Sequence, residues 1–269
     1  MNSNFITIER HSRIPAAARK LIWNVFFSPK QRGINLEHHF PWITDESVTT
    51  CITISDTSKA QSTIVATLVI KEEIVDPLGL VGLIGLVCVD QQQRGRGYSS
   101  SLVRRAINVG LEKSWSALIL WTSKPDLYRG MDFNVSDIDE YGAVSRHSTK
   151  RKAAPCKFTI QDLREYGIPA FATGIQKFID GSDFLVICNT RREPTLVDWS
   201  KEMQETLRLI DCILPDLWNV NIPKDSPLVS CLLANGYSVN LTQGAIRMVR
   251  KLKAIPLNDI PYIGLLNRI

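Results

Sequence analysis

A short segment of the sequence combines glycines, basic residues and the start of a predicted helix. The apolar run from 81 to 90 leads into Gln92-Gln93-Arg94-Gly95-Arg96-Gly97-Tyr98, and an amphipathic segment follows from 99 to 111. We predict a strand, a glycine loop and a helix. Two glycines separated by one residue allow several backbone N–H groups to turn inward together, and the helix N-terminus adds its positive dipole end. The segment therefore predicts a binding site for an anion such as a pyrophosphate.

The spacing of this segment disagrees with two common nucleotide-binding loops. A dinucleotide-binding loop has the pattern G-x-G-x-x-G, and Ser100 occupies the position of its third glycine. A P-loop requires G-x-x-x-x-G-K-[ST], and its lysine is missing here. Gln92, Gly95 and Gly97 instead match Q/R-x-x-G-x-G/A, the acyl-CoA-binding signature. On this motif the chain resembles the GNAT superfamily of N-acetyltransferases.

A second motif follows the first in the order that is usual for this family. The apolar run 117–121 precedes the segment 122–133, which resembles a strand and a short helix that carries a tyrosine and ends in a Gly-Phe-like turn. The resemblance implies that Tyr128 lies near the cofactor thiol and protonates the leaving thiolate. The turn departs from the family pattern, because Asp132 stands where glycine is usual. The alternative interpretations are a glycine pair that serves only a turn and a tyrosine that is simply a half-buried aromatic.

The resemblance implies one acetyl-CoA site, formed by the first half of the chain. In the family the cofactor strand splays from its neighbour, so that backbone N–H groups can bond the pantetheine and polarise the thioester carbonyl. The residues implied to bind acetyl-CoA are Val87, Cys88, Val89, Gln92, Arg94, Gly95, Arg96, Gly97, Tyr98 and Ser99. Tyr128 is the implied catalytic residue, and we expect no metal.

The sequence does not identify the general base. An acceptor amine must lose a proton before it attacks, so a carboxylate, a histidine or a water chain has to accept that proton. The candidates lie in a polar and aromatic segment and at the end of the cofactor strand: Glu37, His38, His39 and Asp90. Each has a simpler interpretation, because histidines in a loop are usually exposed and an aspartate before a glycine loop is often a turn residue.

Length, composition and charge are those of an ordinary protein with a sizeable core. The 269 residues are 44% hydrophobic and 22% charged, which suffices for two modest domains. A net charge of +5 does not by itself indicate a nucleic-acid partner. Six scattered cysteines without a C-x-x-C pair predict reduced core residues. Since no long apolar run and no leader-like segment is present, we expect a cytoplasmic protein that does not contact a membrane.

The second half of the chain repeats part of the first. A predicted helix to 213, a strand over 217–223 and Asn235-Gly236-Tyr237 follow the same order as residues 118–133, but no Q-x-x-G-x-G precedes that helix. We predict an α/β (α+β) GNAT fold with a mixed, mostly antiparallel sheet flanked by helices. An acetyl-CoA-binding domain over 1–145 and a smaller, degenerate GNAT-like domain over 156–269 are joined by a basic stretch, as in tandem GNAT proteins.

Three functions remain open on this evidence. The first is N-acetyl transfer from acetyl-CoA to a primary amine of an unidentified small-molecule or peptide acceptor. The second is a catalytically inactive acyl-CoA-binding regulatory protein, suggested by the unassigned base and by Asp132. The third is a nucleic-acid or ribosome-associated protein, suggested by the basic stretch and by basic residues between 247 and 253. Turnover with amines, CoA binding without turnover, and salt-dependent RNA or DNA binding distinguish them.

Overall fold

The computed structural model describes residues 6–30, 34–58, 62–146, 156–254 and 260–269. The strands are β1 (Ile6–His11), β2 (Thr49–Asp56), β3 (Thr63–Val75), β4 (Gly79–Val89), β5 (Ala117–Thr122), β6 (Asn134–Arg146), β7 (Thr159–Asp162), β8 (Gly174–Asp180), β9 (Asp183–Asn189), β10 (Thr195–Trp199), β11 (Leu217–Pro223) and β12 (Tyr237–Lys251). The helices are α1 (Ala16–Phe26), α2 (Leu36–His39), α3 (Tyr98–Glu112), α4 (Asp126–Arg129), α5 (Met203–Ile213) and α6 (Pro227–Ala234). Among these helices, none has the length and apolar character that crossing a membrane requires.

The chain divides into two compact units. The first comprises residues 1–136, 246–261 and 268–269, and the second comprises 137–245 and 262–267. Strand β12 therefore contributes to both units: its residues 246–251 pair with β5 in the first. The sequence pattern instead predicts that all residues from 156 onward belong to the second domain. The functional division into 1–145 and 156–269 stays a prediction.

The first unit contains a mixed sheet with the strand order β1-β2-β3-β4-β5-β12. All neighbours in this order are antiparallel except β4 and β5, which run parallel. Helix α1 packs on β3 and β4, and α3 packs on β2, β3 and β4. The strand β1 and the helix α1 open the first unit, and the antiparallel strands β2 and β3 precede β4.

The core of the first unit explains the long apolar run of the sequence. Val81, Leu83 and Ile84 of β4 are at most 2% exposed, although successive side chains of a strand point to opposite faces. Both faces of β4 are therefore covered, and such a strand is apolar throughout rather than alternating. Helix α3 buries residues spaced three and four apart, among them Leu102 and Ala106, against the sheet.

The second unit contains a sheet with the order β12-β6-β11-β10-β9-β8-β7. The β10 and β11 strands pair in parallel, as β4 and β5 do in the first unit. Buried Trp218 and Leu209 belong to the core beneath α5 and α6. The basic stretch that we predict as the join between the domains begins at the end of β6, and its residues from 147 to 155 lie outside the described residues.

The prediction that all cysteines are reduced is wrong for two of them. Cys156 and Cys212 form a disulfide across 56 residues, both within the second unit. The scattered spacing of the cysteines contained no signal for this pair, because only the fold brings a residue before β7 next to α5. Cys51, Cys88 and Cys188 are buried thiols, as predicted.

Candidate active site

A β-bulge in β4 marks the centre of the candidate site. Thr67 of β3 pairs with Cys88 and Val69 pairs with Gly85, so Leu86 and Val87 together stand opposite one residue of β3. The extra residue is accommodated by Leu86, whose φ is 50°. A positive φ is uncommon for a branched side chain and costs energy, and bulges of this kind redirect a strand next to functional sites.

Strands β4 and β5 separate just before this bulge. Their parallel ladder runs from Gly82 paired with Leu118 to Ile84 paired with Leu120. Beyond Ile84, β4 stays paired with β3 as far as Val89, but no ladder pair joins it to β5 within the residues that the structure describes. Backbone groups on that side of residues 85–89 are thus oriented towards a gap between the strands. This is the splay that the resemblance implies, and it includes the predicted residues Val87, Cys88 and Val89.

The loop after β4 is organised by Asp90. Its carboxylate accepts a hydrogen bond from the Gln92 N–H at 2.9 Å, and its carbonyl accepts one from the Gln93 N–H at 2.9 Å. These bonds close a 3-10 turn over Gln91–Gln93. Of the two interpretations of Asp90, turn residue or base, the geometry favours the turn residue.

Gly95 and Gly97 adopt left-handed backbone conformations, with φ of 80° and 76°. A β-carbon added at either position would meet no atom within 4 Å, so the glycines are required by backbone conformation and the space in front of them is open. Gly97 is the N-cap of α3 and makes no side-chain cap, so the first-turn N–H groups remain available for a ligand.

The charges around this loop favour an anion. The first turn of α3 contains no acidic residue, and α3 is 15 residues long, so its N-terminal dipole is not offset by a local carboxylate. Arg94 and Arg96 are exposed beside the two glycines, and Tyr98 and Ser99 begin the helix. The chemistry of this donor set fits a pyrophosphate: backbone N–H groups, a helix N-terminus and two exposed guanidinium groups.

Tyr128 lies on the short helix α4, as the motif predicts. Its ring is half-buried and meets Phe133 edge-on, with 6.0 Å between the ring centroids. Burial raises the pKa of the Tyr128 hydroxyl above its usual value of about 10. The hydroxyl is therefore fully protonated at neutral pH and can act as a proton donor.

Asp132 preserves the turn in which glycine is usual. Its φ is 58°, a left-handed conformation that aspartate tolerates better than most residues. The carboxylate pairs with Arg250 of β12 at 2.8 Å, and Arg250 also donates to the Met131 carbonyl. The following Phe133 is buried in the core with 1% exposure. The substitution thus keeps the backbone conformation and gains an ion pair.

Two of the other candidate bases have structural partners. Glu37 on α2 pairs with Arg19 of α1. His39 is 5% exposed and stacks on Phe27 with 4.7 Å between ring centroids. His38 is half-buried, and its backbone N–H is capped by Asn35. These contacts account for Glu37 and His39 without a role in proton transfer.

No sequence motif indicates that residues 260–269 contribute to the first unit, yet residues 260–261 and 268–269 belong to it. Buried Arg247 donates to the carbonyls of Pro261 at 2.6 Å and Ile260 at 3.3 Å. The Arg268 guanidinium lies 4.8 Å from the Trp121 ring centroid, and Ile269 packs against Gly85. The available signal was Arg247 among the apolar residues Ile246, Met248 and Val249, because a charge that is buried with such neighbours must find partners.

Comparisons with known proteins identify the fold. No family model and no curated protein matches the sequence. A GCN5-related N-acetyltransferase from Kribbella flavida aligns over 94% of this chain and 73% of its own, with a TM-score of 0.63 and 10% identity. Another from Anabaena variabilis aligns over 92% and 73%, with a TM-score of 0.63 and 10% identity. A candidate acetyltransferase from Pyrococcus horikoshii covers 97% and 94%, with a TM-score of 0.59 and 13% identity.

These similarities extend over nearly the whole chain. At identities of 10–13% they establish the fold alone. The predicted fold class is confirmed: the chain has the mixed, mostly antiparallel sheet with flanking helices of the GCN5-related N-acetyltransferases.

Proposed function

We propose that this protein is an N-acetyltransferase that transfers an acetyl group from acetyl-CoA to a primary amine of a small molecule or peptide. The observation that carries the proposal is the continuity of three features along residues 84–98. The β4–β5 ladder ends at Ile84, the bulge lies at Leu86 and Val87, and the Gly95–Gly97 loop begins α3. Together they offer backbone donors for an extended ligand with an anion at one end.

We assign the binding roles by position. Arg94, Arg96 and the N–H groups from Gly95 to Ser99 would hold the pyrophosphate, with Gln92 at the entrance of the loop. Backbone groups of Val87, Cys88 and Val89 would bond the pantetheine, and a donor there would polarise the thioester carbonyl. A polarised thioester is the chemistry that acetyl-CoA supplies. The bulge supports this assignment, because it frees backbone groups that a regular ladder would use.

We propose direct transfer with Tyr128 as the acid. The neutral amine forms a bond to the carbonyl carbon, the C–S bond breaks, and the thiolate takes the proton of the Tyr128 hydroxyl. The extra proton on the acylated nitrogen then passes to the Tyr128 phenolate, which restores the tyrosine. The place of Tyr128 on α4, which matches the tyrosine of the family motif, supports this role, and its hydroxyl, whose pKa is raised by burial, is protonated at neutral pH. The amine reaches the site neutral after loss of one proton to a base that we leave unassigned.

We further propose that the second unit is a degenerate copy without a cofactor site. In support, β10 has a bulge between Leu196 and Asp198, next to a short parallel ladder with β11. This repeats the bulge and the parallel pair of the first unit. The N-cap of α5 is Glu202, and no glycine with positive φ lies between β10 and α5, so the anion-binding turn has no counterpart there. One equivalent of CoA per chain follows.

Calorimetric titration with acetyl-CoA and CoA tests the proposal. We expect saturation near one equivalent and, in a panel of amines, release of free CoA with at least one acceptor. Binding without turnover across a broad panel would favour the regulatory alternative. Lack of binding would refute both the acetyltransferase proposal and the regulatory alternative.

We also propose a cytoplasmic location, in which case the Cys156–Cys212 disulfide is exposed to cellular reductants.

A further inference from the structure

Ile269 packs against β4 at the point where the ladder between β4 and β5 ends. A β-carbon placed on Gly85 would stand 2.7 Å from both the carbonyl carbon and the oxygen of Ile269, and its side chain is closer still. Glycine is thus the residue that allows Ile269 to approach β4 here. Gly85 is the first residue of β4 beyond the last pair with β5. Ile269 therefore packs on a face of β4 next to the point where β4 and β5 separate.

Two strands of the first unit, β12 and β5, hold the segment that carries Ile269. Arg247 of β12 is 5% exposed and bonds the carbonyls of Ile260 and Pro261, while its Nε donates to Ser136 at 2.9 Å. Arg268, the neighbour of Ile269, stacks its guanidinium on Trp121 of β5. Charge-assisted hydrogen bonds from a buried arginine, together with a cation–π contact, fix the position of a segment more firmly than the apolar packing of one side chain does.

We infer that Ile269 is the wall that limits acyl-chain length in this site. This inference rests on the proposed function, which places the thioester at the bulge formed by Leu86 and Val87. Only the bulged residue Leu86 separates Gly85 from Val87, so Ile269 beside Gly85 stands at most about 7 Å from a carbonyl bonded at Val87. Once a carbon–carbon contact distance of about 3.5–4 Å is subtracted, about two C–C bonds of about 1.5 Å fit. An acetyl group fits, and a longer acyl chain meets the isoleucine.

The test compares acyl-chain preference in the wild type and in Ile269→Ala. Affinities for CoA, acetyl-CoA, butyryl-CoA and hexanoyl-CoA are measured by calorimetry. We expect the alanine variant to bind hexanoyl-CoA at least tenfold more tightly than the wild type does, with the affinity for CoA unchanged. Ile74→Ala is the matched control, because Ile74 is an isoleucine of the same unit with 79% exposure. It should leave all four affinities unchanged.

The possible outcomes separate this inference from the proposed function. If the wild type binds no CoA, the proposed function fails. If it binds CoA but Ile269→Ala leaves the preference for acyl length unchanged, the wall is refuted and the function stands. Tighter binding of CoA itself by Ile269→Ala would also refute it, because the residue would then be competing with the cofactor.

A second measurement tests the contact without any ligand. Gly85→Ala inserts a β-carbon where Ile269 lies, so it should lower the thermal midpoint, and Ile269→Gly should recover part of that loss in the double variant. Additive effects of the two substitutions would show that Ile269 does not pack on Gly85, which would refute the inference. If Gly85→Ala does not fold, the comparison of chain lengths in Ile269→Ala decides alone.

Discussion

Replacing Gly97 by valine should separate the phosphate site from the stability of the fold. Gly97 has a φ of 76°, and a β-carbon there meets no atom within 4 Å. The substitution thus adds no steric clash within the protein, and its cost is the left-handed conformation, about 1–2 kcal/mol. A domain with a stability of about 5–15 kcal/mol remains folded after such a loss.

The effect on binding should exceed the effect on stability. A side chain at the N-cap of α3 would fill the open space in front of the helix and displace an anion from its backbone donors. Each lost hydrogen bond to a charged group costs about 1.5–3 kcal/mol. Since about 1.4 kcal/mol corresponds to a tenfold change in affinity, we expect CoA to bind at least about ten- to a hundredfold more weakly.

The chain offers a matched control at Gly79. Its φ is 75°, and a β-carbon there also meets no atom within 4 Å, but it lies in the turn at the opposite end of β4. Gly79→Val and Gly97→Val should lower the urea midpoint by similar amounts, whereas only the second should weaken CoA binding in calorimetry. Normal CoA affinity in folded Gly97→Val, or equal loss of affinity in both variants, would show that the phosphate site is misplaced.

Three further predictions concern single side chains. Tyr128→Phe should leave the affinity for CoA unchanged and lower kcat by about 10²–10⁴-fold, measured as CoA release; equal turnover would remove the acid role. Burial and the bond to Asp211 raise the pKa of Tyr237 to about 12, so its contribution to stability is complete below about pH 10 and is lost as the pH rises through about 12. Tyr237→Phe should remove this part of the pH dependence of urea unfolding, whereas Tyr166→Phe, at a residue 62% exposed, should not; identical alkaline profiles would contradict the assignment. Cys156→Ser should lower the free energy of unfolding by about 2–4 kcal/mol, and reductant should lower the wild type equally; insensitivity to reductant would show that the disulfide is not formed.

Local pattern was enough to predict the strand, the glycine loop and the helix that form the candidate site. The sequence of β4 is apolar throughout because both faces of the strand are buried, and the left-handed glycines mark the turn into α3 by a requirement that few other residues meet. The helix with Tyr128 was predicted from the resemblance of residues 117–133 to the family's second motif. The departure from the family pattern at Asp132 is explained by the structure, since aspartate is among the residues that tolerate positive φ.

Long-range partners were not predictable in this way. Nothing in the spacing pairs Cys156 with Cys212, and nothing near Gly85 indicates that Ile269, 184 positions later, would fill the place of its side chain. Arg247 gave a weak signal as a charge between apolar neighbours, but two of its acceptors are backbone carbonyls, which any sequence provides. Contacts of this kind depend on the complete fold and leave no pattern in the neighbouring residues.

The path of β12 predicts that the chain cannot be divided at the boundary that the sequence suggests. Residues 246–251 pair with β5 in the first unit, and Met248 and Val249 are completely buried. A fragment of residues 1–145 would lack this strand, so the edge of β5 and its apolar neighbours would be exposed. We expect the fragment alone to aggregate or to unfold without cooperativity, and coexpression with 156–269 to restore a cooperative transition and CoA binding, both measured against the intact chain. Cooperative unfolding and full CoA affinity of the 1–145 fragment alone would show that the strand is dispensable, and that the first domain ends where its sequence motif does.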